Sequence, residues 1–240
     1  TGKMNTDEIV KGITDMVDAY NALVKSVNNQ VSQRPDKDYQ PLTAEQKKEL
    51  SEDEIKSYEE KGKGGILFGD SLLKGLATDI RFAFSLPVNG ELLSSIGITT
   101  SSNWEDNGLI SVNENQLREA IEKDPDKVKA LFTADTNGTV SSSNTDAGVM
   151  TRLKSVMDKY VSTTGDKGLL ITRAGHESYA VSLTDNAMYR EAKAMDDKIN
   201  KMIESIEKEM DRYYNQFSSL ELYINQMNMQ SSWLSQQFTS

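Results

Sequence analysis

Residues 184–238 read TDNAMYREAKAMDDKINKMIESIEKEMDRYYNQFSSLELYINQMNMQSSWLSQQF, with no proline and no glycine. Within this run Met188, Ala192, Met195, Ile199, Met202, Ile206, Met210, Tyr213, Phe217, Leu220, Ile224, Met227, Leu234 and Phe238 follow one another in steps of three and four. Ser231 is the one small polar position on that seam, and the two successive steps of four from Met202 to Met210 form a stutter, which locally unwinds a supercoil. A sustained repeat near 3.5 residues predicts a helix that packs lengthwise against another helix. At about 1.5 Å per residue, such a run reaches roughly 80 Å. The fold class that follows is mainly α: an elongated helical bundle ending in a long coiled-coil helix over 184–240.

The rest of the run fits that reading. Glu204, Glu207, Glu209 and Asp211 lie off the seam and alternate with Lys201, Lys208 and Arg212, as salt bridging along a solvated helix face requires. From Asn225 to Phe238 the helix is amphipathic but uncharged. An exposed helix normally keeps charges for solubility, so this end reads as an interface with another protein. The interface is assigned to Ile199, Met202, Ile206, Met210, Tyr213, Phe217, Leu220, Ile224, Met227, Trp233, Leu234 and Phe238.

Upstream, residues 1–183 read as a helical domain. Ile9, Ile13, Met16, Val17, Tyr20, Val24, Val27 and Val31 make one apolar stripe, opened by Asp7 and Glu8 and ended by Arg34-Pro35-Asp36. Residues 35–64 are charged and poor in large apolar groups, a surface excursion with capping signals at Thr43-x-x-Gln46 and Ser51-x-x-Glu54. Leu72, Leu73, Leu76, Ile80 and Phe84 predict a helix from Asp70 or Ser71. Ile96-Gly97-Ile98-Thr99 and Leu109-Ile110-Ser111-Val112 predict a small β-hairpin around Asn107-Gly108. Asn113 and Asp124-Pro125 each cap a further helix. Thr133–Thr145 has loop composition, Met150 to Tyr160 carries helical spacing, and Leu169-Leu170-Ile171 reads as a short strand or turn segment.

Catalytic and ligand-binding readings find little to stand on. There is no cysteine, which removes disulfides, thiolate metal sites and thiol nucleophiles. The sole histidine, His176, lies in a turn-like stretch and reads as a solvated loop residue. Asp135 to Asp146 lacks the acidic spacing of a calcium loop, and Gly62-Lys63-Gly64-Gly65 lacks the ending of a phosphate loop. A formal charge of −10 opposes nucleic acid and anionic membrane surfaces as partners, and no apolar run approaches the length that spans a bilayer. The expectation is therefore a non-enzyme without metal or cofactor. The opening Thr1-Gly2-Lys3, without Met, reads as a fragment or a processed chain.

Several stretches taken together resemble a known family. They are Val17-Asp18-Ala19-Tyr20-Asn21-Ala22-Leu23, Gly69-Asp70-Ser71-Leu72-Leu73, Leu93 to Thr100, Asn107 to Val112, Asp124 to Phe132, Gln216 to Glu221 and Ser232 to Phe238. In this order and spacing they resemble the C-terminal part of flagellar hook-associated protein 2, the filament cap or FliD family. The resemblance implies a ring-like homo-oligomer at the distal tip of the bacterial flagellum, beneath which flagellin folds and inserts. It implies helical legs built from both chain ends, with this chain supplying the C-terminal share and residues 35–64 an insertion relative to shorter members. As partners it implies flagellin, the hook–filament junction protein and an export chaperone held at the C-terminal region. It also implies an extracellular location reached without a cleaved signal peptide. The competing reading of the same residues is a generic secreted coiled-coil scaffold or an adhesin stalk.

Overall fold

The computed structural model describes residues 5–103, 106–136, 139–178 and 180–238. Over these residues the protein is mainly α, with one two-stranded antiparallel hairpin and a long last helix. It divides into two compact units, one ending at Ile171 and the other beginning at Thr172.

The first unit is organised on α1 (Thr6–Ser32), whose N-terminus is capped by the Asn5 side chain accepting from the Glu8 amide. The predicted stripe is the buried face at Val17, Tyr20, Val24, Val27 and Val31, joined by Val10. Ile9, Ile13 and Met16 are only partly buried and pack at the margin of the core. The excursion that follows holds α2 (Ala44–Glu49) and α3 (Glu52–Gly62), each opened by a complete capping box, at Thr43/Gln46 and Ser51/Glu54. Neither helix buries a residue. They are joined instead by Lys47 to Glu59 at 2.6 Å, and Tyr58 on α3 stacks at a tilt on Tyr39, with ring centroids 5.0 Å apart.

α4 (Ser71–Ser85) starts where Asp70 accepts from the Leu73 amide at 2.9 Å. It contributes Leu76, Ile80, Ala83 and Phe84 to the core, and the Phe84 ring lies 4.6 Å from that of Tyr20 on α1. Next come a 3-10 turn (Leu93–Ile96), β1 (Ile98–Thr100) and β2 (Ile110–Val112), with Ile98 opposite Val112. Ile96 and Gly97 therefore do not begin the first strand as their β-branched, alternating sequence suggests. Ile96 is buried in the 3-10 turn, and Gly97 closes it at φ 85°, a conformation that favours glycine and cannot continue a strand. Leu109 also precedes the strand proper, though its carbonyl still accepts from the Ser101 amide.

The Asn-Gly signal is realised as predicted. Asn107 and Gly108 have φ of 51° and 89°, the pair of positive values that a type I′ turn needs, and the Leu109 amide closes the turn on the Asp106 carbonyl. α1 holds the hairpin through neighbouring side chains. The Tyr20 hydroxyl donates to the Gly108 carbonyl at 2.7 Å. The Asn21 amide both donates to the Ile110 carbonyl and accepts from its N–H, so it pairs with β2 as another strand's backbone would. Burial raises the Tyr20 phenol to about 12, against a smaller opposing pull from Arg81, so it stays a donor at neutral pH.

α5 (Glu114–Lys123), α6 (Pro125–Thr133) and α7 (Val149–Val161) complete the core with Leu117, Ile121, Val128, Leu131, Val156 and Tyr160. Asn113 and Asp124 cap α5 and α6 as predicted, and Pro125 occupies the first turn. Leu169-Leu170-Ile171, expected as a strand or turn, instead begins a helix, α8 (Leu169–Ala174). Three consecutive branched aliphatic residues have no period, and length alone could not separate a strand from one helical turn.

A polar hub ties α4 to α7. Asp79 accepts from Lys159 Nζ at 2.7 Å, from the Tyr160 hydroxyl at 3.1 Å and from Ser142 Oγ at 3.2 Å. Partial burial pushes its carboxyl up, but these hydrogen bonds and the Lys159 charge outweigh burial and leave it below its ordinary value. A depressed carboxyl stabilises the fold above its unfolded-state pKa, and that contribution disappears as the pH falls through its folded value. Asp79→Asn is therefore expected to cost about 1 kcal/mol at pH 7, discounted for the exposure of Lys159. Urea unfolding of both proteins at pH 7 and pH 3 checks this, and the gap should narrow at the lower pH.

Candidate interface on the long helix

The second unit is dominated by α10 (Ala187–Phe238, 52 residues). Its start is fixed locally. Gly175 turns the chain out of α8 at φ 79°, after which the Ser182 hydroxyl on α9 (Ala180–Thr184) accepts from the His176 amide and donates to the His176 carbonyl. Asn186, itself buried, accepts from the Tyr189 amide at 2.8 Å and donates back to the Ser182 and Leu183 carbonyls. One residue thus ends α9 and caps α10. His176 sits exposed on this turn, where its ring accepts from the Ser178 amide.

Beyond that clasp, α10 is one unbroken helix whose described side chains are exposed from Met188 onward. The seam positions run from 47% exposed at Leu234 to 67% at Phe217. Ile199, Met202, Ile206, Met210, Tyr213, Leu220, Ile224 and Met227 all fall between those values. Phe238 ends the helix, and its side chain lies outside the described residues. Trp233 is 61% exposed and, being two residues after Ser231, points about 200° away from that seam position around the helix. Among the charged residues of the middle section, Arg212 pairs with Glu209 one turn earlier. A helix of this length gains little from propensity alone and is normally held by the packing of its apolar face. Here that face is laid open over nearly its whole length.

A second apolar surface, which the sequence reading missed, lies on the first unit. Ile9, Ile13 and Met16 of α1, Phe132 of α6 and Met150 of α7 line a groove of about 510 Å³, with Gly12 on its α1 side. The signal was present in the stripe of α1, since Ile9, Ile13 and Met16 repeat at helical spacing on a face slightly rotated from Val17 and Val24. Pattern alone merges two adjacent faces into one.

Among the described residues there is no group of three His, Asp or Glu side chains placed to hold a metal ion, and no helix is long and apolar enough to cross a membrane.

Residues 3–229 match the family described as flagellar hook-associated protein 2 C-terminus. The chain is 34% identical to flagellar hook-associated protein 2 of Halalkalibacterium halodurans, an alignment covering 98% of this chain and 46% of that protein. It is 27% identical to the protein of the same name from Escherichia coli strain K12, over 98% of this chain and 42% of the relative. The chain thus spans less than half the length of these relatives. Among solved structures, it aligns with the crystal structure of the flagellar cap protein FliD D1-D2-D3 domains from Escherichia coli, with a TM-score of 0.45 and 22% identity over 69% of this chain and 35% of that one.

Proposed function

The chain belongs to the flagellar hook-associated protein 2 family, matching its C-terminal part, and from that premise we propose that it is a non-catalytic assembly factor of the bacterial flagellar filament cap. In this reading it works at the distal tip of the filament, outside the cell, as part of a ring-like homo-oligomer, and promotes the folding and insertion of flagellin. Export takes place without a cleaved signal peptide. The hook–filament junction protein and an export chaperone are further partners, both at the C-terminal region, and neither nucleic acid nor membrane insertion has a part.

The observation that carries the reading is the exposed seam of α10, in a chain of this family. A helix with one uncovered apolar edge, 52 residues long, is a docking element. Its work is physical: burying a partner's apolar face releases water from both, and no bond is made or broken. A long seam of near-equivalent Met, Ile and Leu positions also tolerates small axial shifts, because flexible Met side chains repack at little cost. That suits a support which must yield while each new subunit enters.

The test uses the full-length protein carrying a fluorescent tag, imaged on live cells beside a deletion strain. The expected result is a single focus at each filament end, with the deletion strain losing flagellin into the medium and the tagged gene restoring filaments. Signal spread over the cell body or along filaments, or a deletion strain that retains its flagellin, overturns the proposal.

A further inference from the structure

Six of the ten methionines lie on α10. Met188, Met195 and Met202 follow one another at steps of seven, and Met210 comes eight residues later, after the stutter. Seven residues make about two turns and about 10 Å of helix, so these four thioethers form a ladder along the apolar edge. They are 47%, 65%, 58% and 50% exposed. Met16 and Met157, by contrast, are partly buried against the core of the first unit. Helical side chains all lean toward the N-terminus, which keeps neighbouring sulfurs of the ladder too far apart to share one soft metal ion. Oxygen transfer needs only access. A neutral peroxide is not repelled by the acidic surface, and with no cysteine in the chain no thiol competes for it.

We infer that Met188, Met195, Met202 and Met210 are an oxidation site through which hydrogen peroxide disables the edge of α10, a consequence that rests on the docking role proposed for the seam. One oxygen of the peroxide passes to the lone pair of the thioether sulfur. An S–O bond forms, the O–O bond breaks, and the other oxygen leaves as water. Sulfur is oxidised by two electrons and the peroxide is reduced by two. The product, methionine sulfoxide, turns a flexible apolar side chain into a polar one. Each sulfoxide would have to shed its hydration to enter a dry contact, and four in one line load the same contact. Docking and oxidation therefore exclude each other: a covered ladder is shielded from peroxide, and an oxidised ladder stays uncovered. Leucine would fill the same edge without this chemistry, since the two side chains exchange at little cost in packing.

In the first arm the purified chain is treated with hydrogen peroxide, and oxygen uptake is followed at each methionine by peptide mass. The four ladder methionines are expected to react about fivefold or more faster than Met16 and Met157, whose packing limits access. The second arm uses full-length protein in cells regrowing sheared filaments, with and without peroxide. One variant carries Met188→Leu, Met195→Leu, Met202→Leu and Met210→Leu. The other carries Met188→Gln, Met195→Gln, Met202→Gln and Met210→Gln, a polar mimic of the sulfoxide that keeps a helix-compatible side chain. Without peroxide, the leucine variant should retain flagellin as the parent does, and the glutamine variant should shed it into the medium. With peroxide, the parent should shed flagellin like the glutamine variant, while the leucine variant still retains it. Equal oxidation rates at all of these methionines, a glutamine variant that retains flagellin, or parent and leucine variant responding alike to peroxide overturns the inference. Tip foci on the untreated parent leave the cap reading standing in each of those cases.

Discussion

Cells carrying Phe217→Asp together with Ile224→Asp are expected to make no capped filaments and to shed flagellin into the medium, while the purified variant melts with the parent. The two residues are 67% and 50% exposed in the single chain, so neither supports its fold. Surface substitutions away from special features stay within about 0.5 kcal/mol. Both residues sit on the seam, seven residues apart and therefore on the same edge. In the assembled state each side chain contributes about 1.5–3 kcal/mol of burial, all of which is lost. Two carboxylates placed in a dry seam add a desolvation cost that exceeds the lost burial unless each finds a partner. A combined penalty of about 6 kcal/mol weakens association more than ten-thousandfold, beyond what protein abundance can offset. Swimming motility, flagellin in the culture medium and thermal melting of the isolated chain are the three readouts. Normal swimming with normal melting would show that the seam is not where the partner sits. Lost swimming with an early melt would mean that the residues support the fold after all.

The parts of the molecule that sequence alone made legible are those governed by rules acting over three or four residues. The boxes at Thr43/Gln46 and Ser51/Glu54, the caps at Asn113 and Asp124, and the Asn107-Gly108 turn all close by hydrogen bonds inside their own segment, so neighbours cannot overrule them. The period of α10 was equally plain, because a 52-residue repeat leaves no alternative element. What stayed hidden depends on contacts between distant segments. Asn21 reads as one more polar residue on α1 until Ile110, brought in from 89 positions away, gives its amide a backbone to pair with. Ile96 and Gly97 look like strand until the 3-10 turn buries one and curls the other. The apolar edge of α10 was legible from its spacing.

Arg152 is the clearest instance of a residue whose position decides its role, and replacing it should separate packing from charge. It lies on α7 between Val149 and Val156, reads as a solvated cation by type, and is 0% exposed. Nη1 and Nη2 both donate to the Leu86 carbonyl at 3.3 Å, and Nε has no partner. Burial alone pulls the guanidinium below its ordinary range. What compensates the charge is the C-terminal end of α4, where Leu86 is the capping residue and the helix dipole is negative. Arg152→Met removes a costly buried charge but orphans the Leu86 carbonyl, worth about 1–3 kcal/mol, and these opposing effects leave a net change of about 1 kcal/mol or less. Arg152→Ala orphans the same carbonyl and also empties the space of a long side chain, so it should cost about 4 kcal/mol, in the range of large-to-small core substitutions. For a unit of this size that corresponds to a fall in melting temperature of roughly 8–16 °C. Urea unfolding of the three proteins at pH 7 gives the answer directly. A methionine variant as unstable as the alanine one would show that the guanidinium's bonds to Leu86, rather than its volume, hold α7 against α4. An alanine variant within about 1 kcal/mol of the parent would mean that the site collapses without resistance and that Arg152 is not part of the packed core.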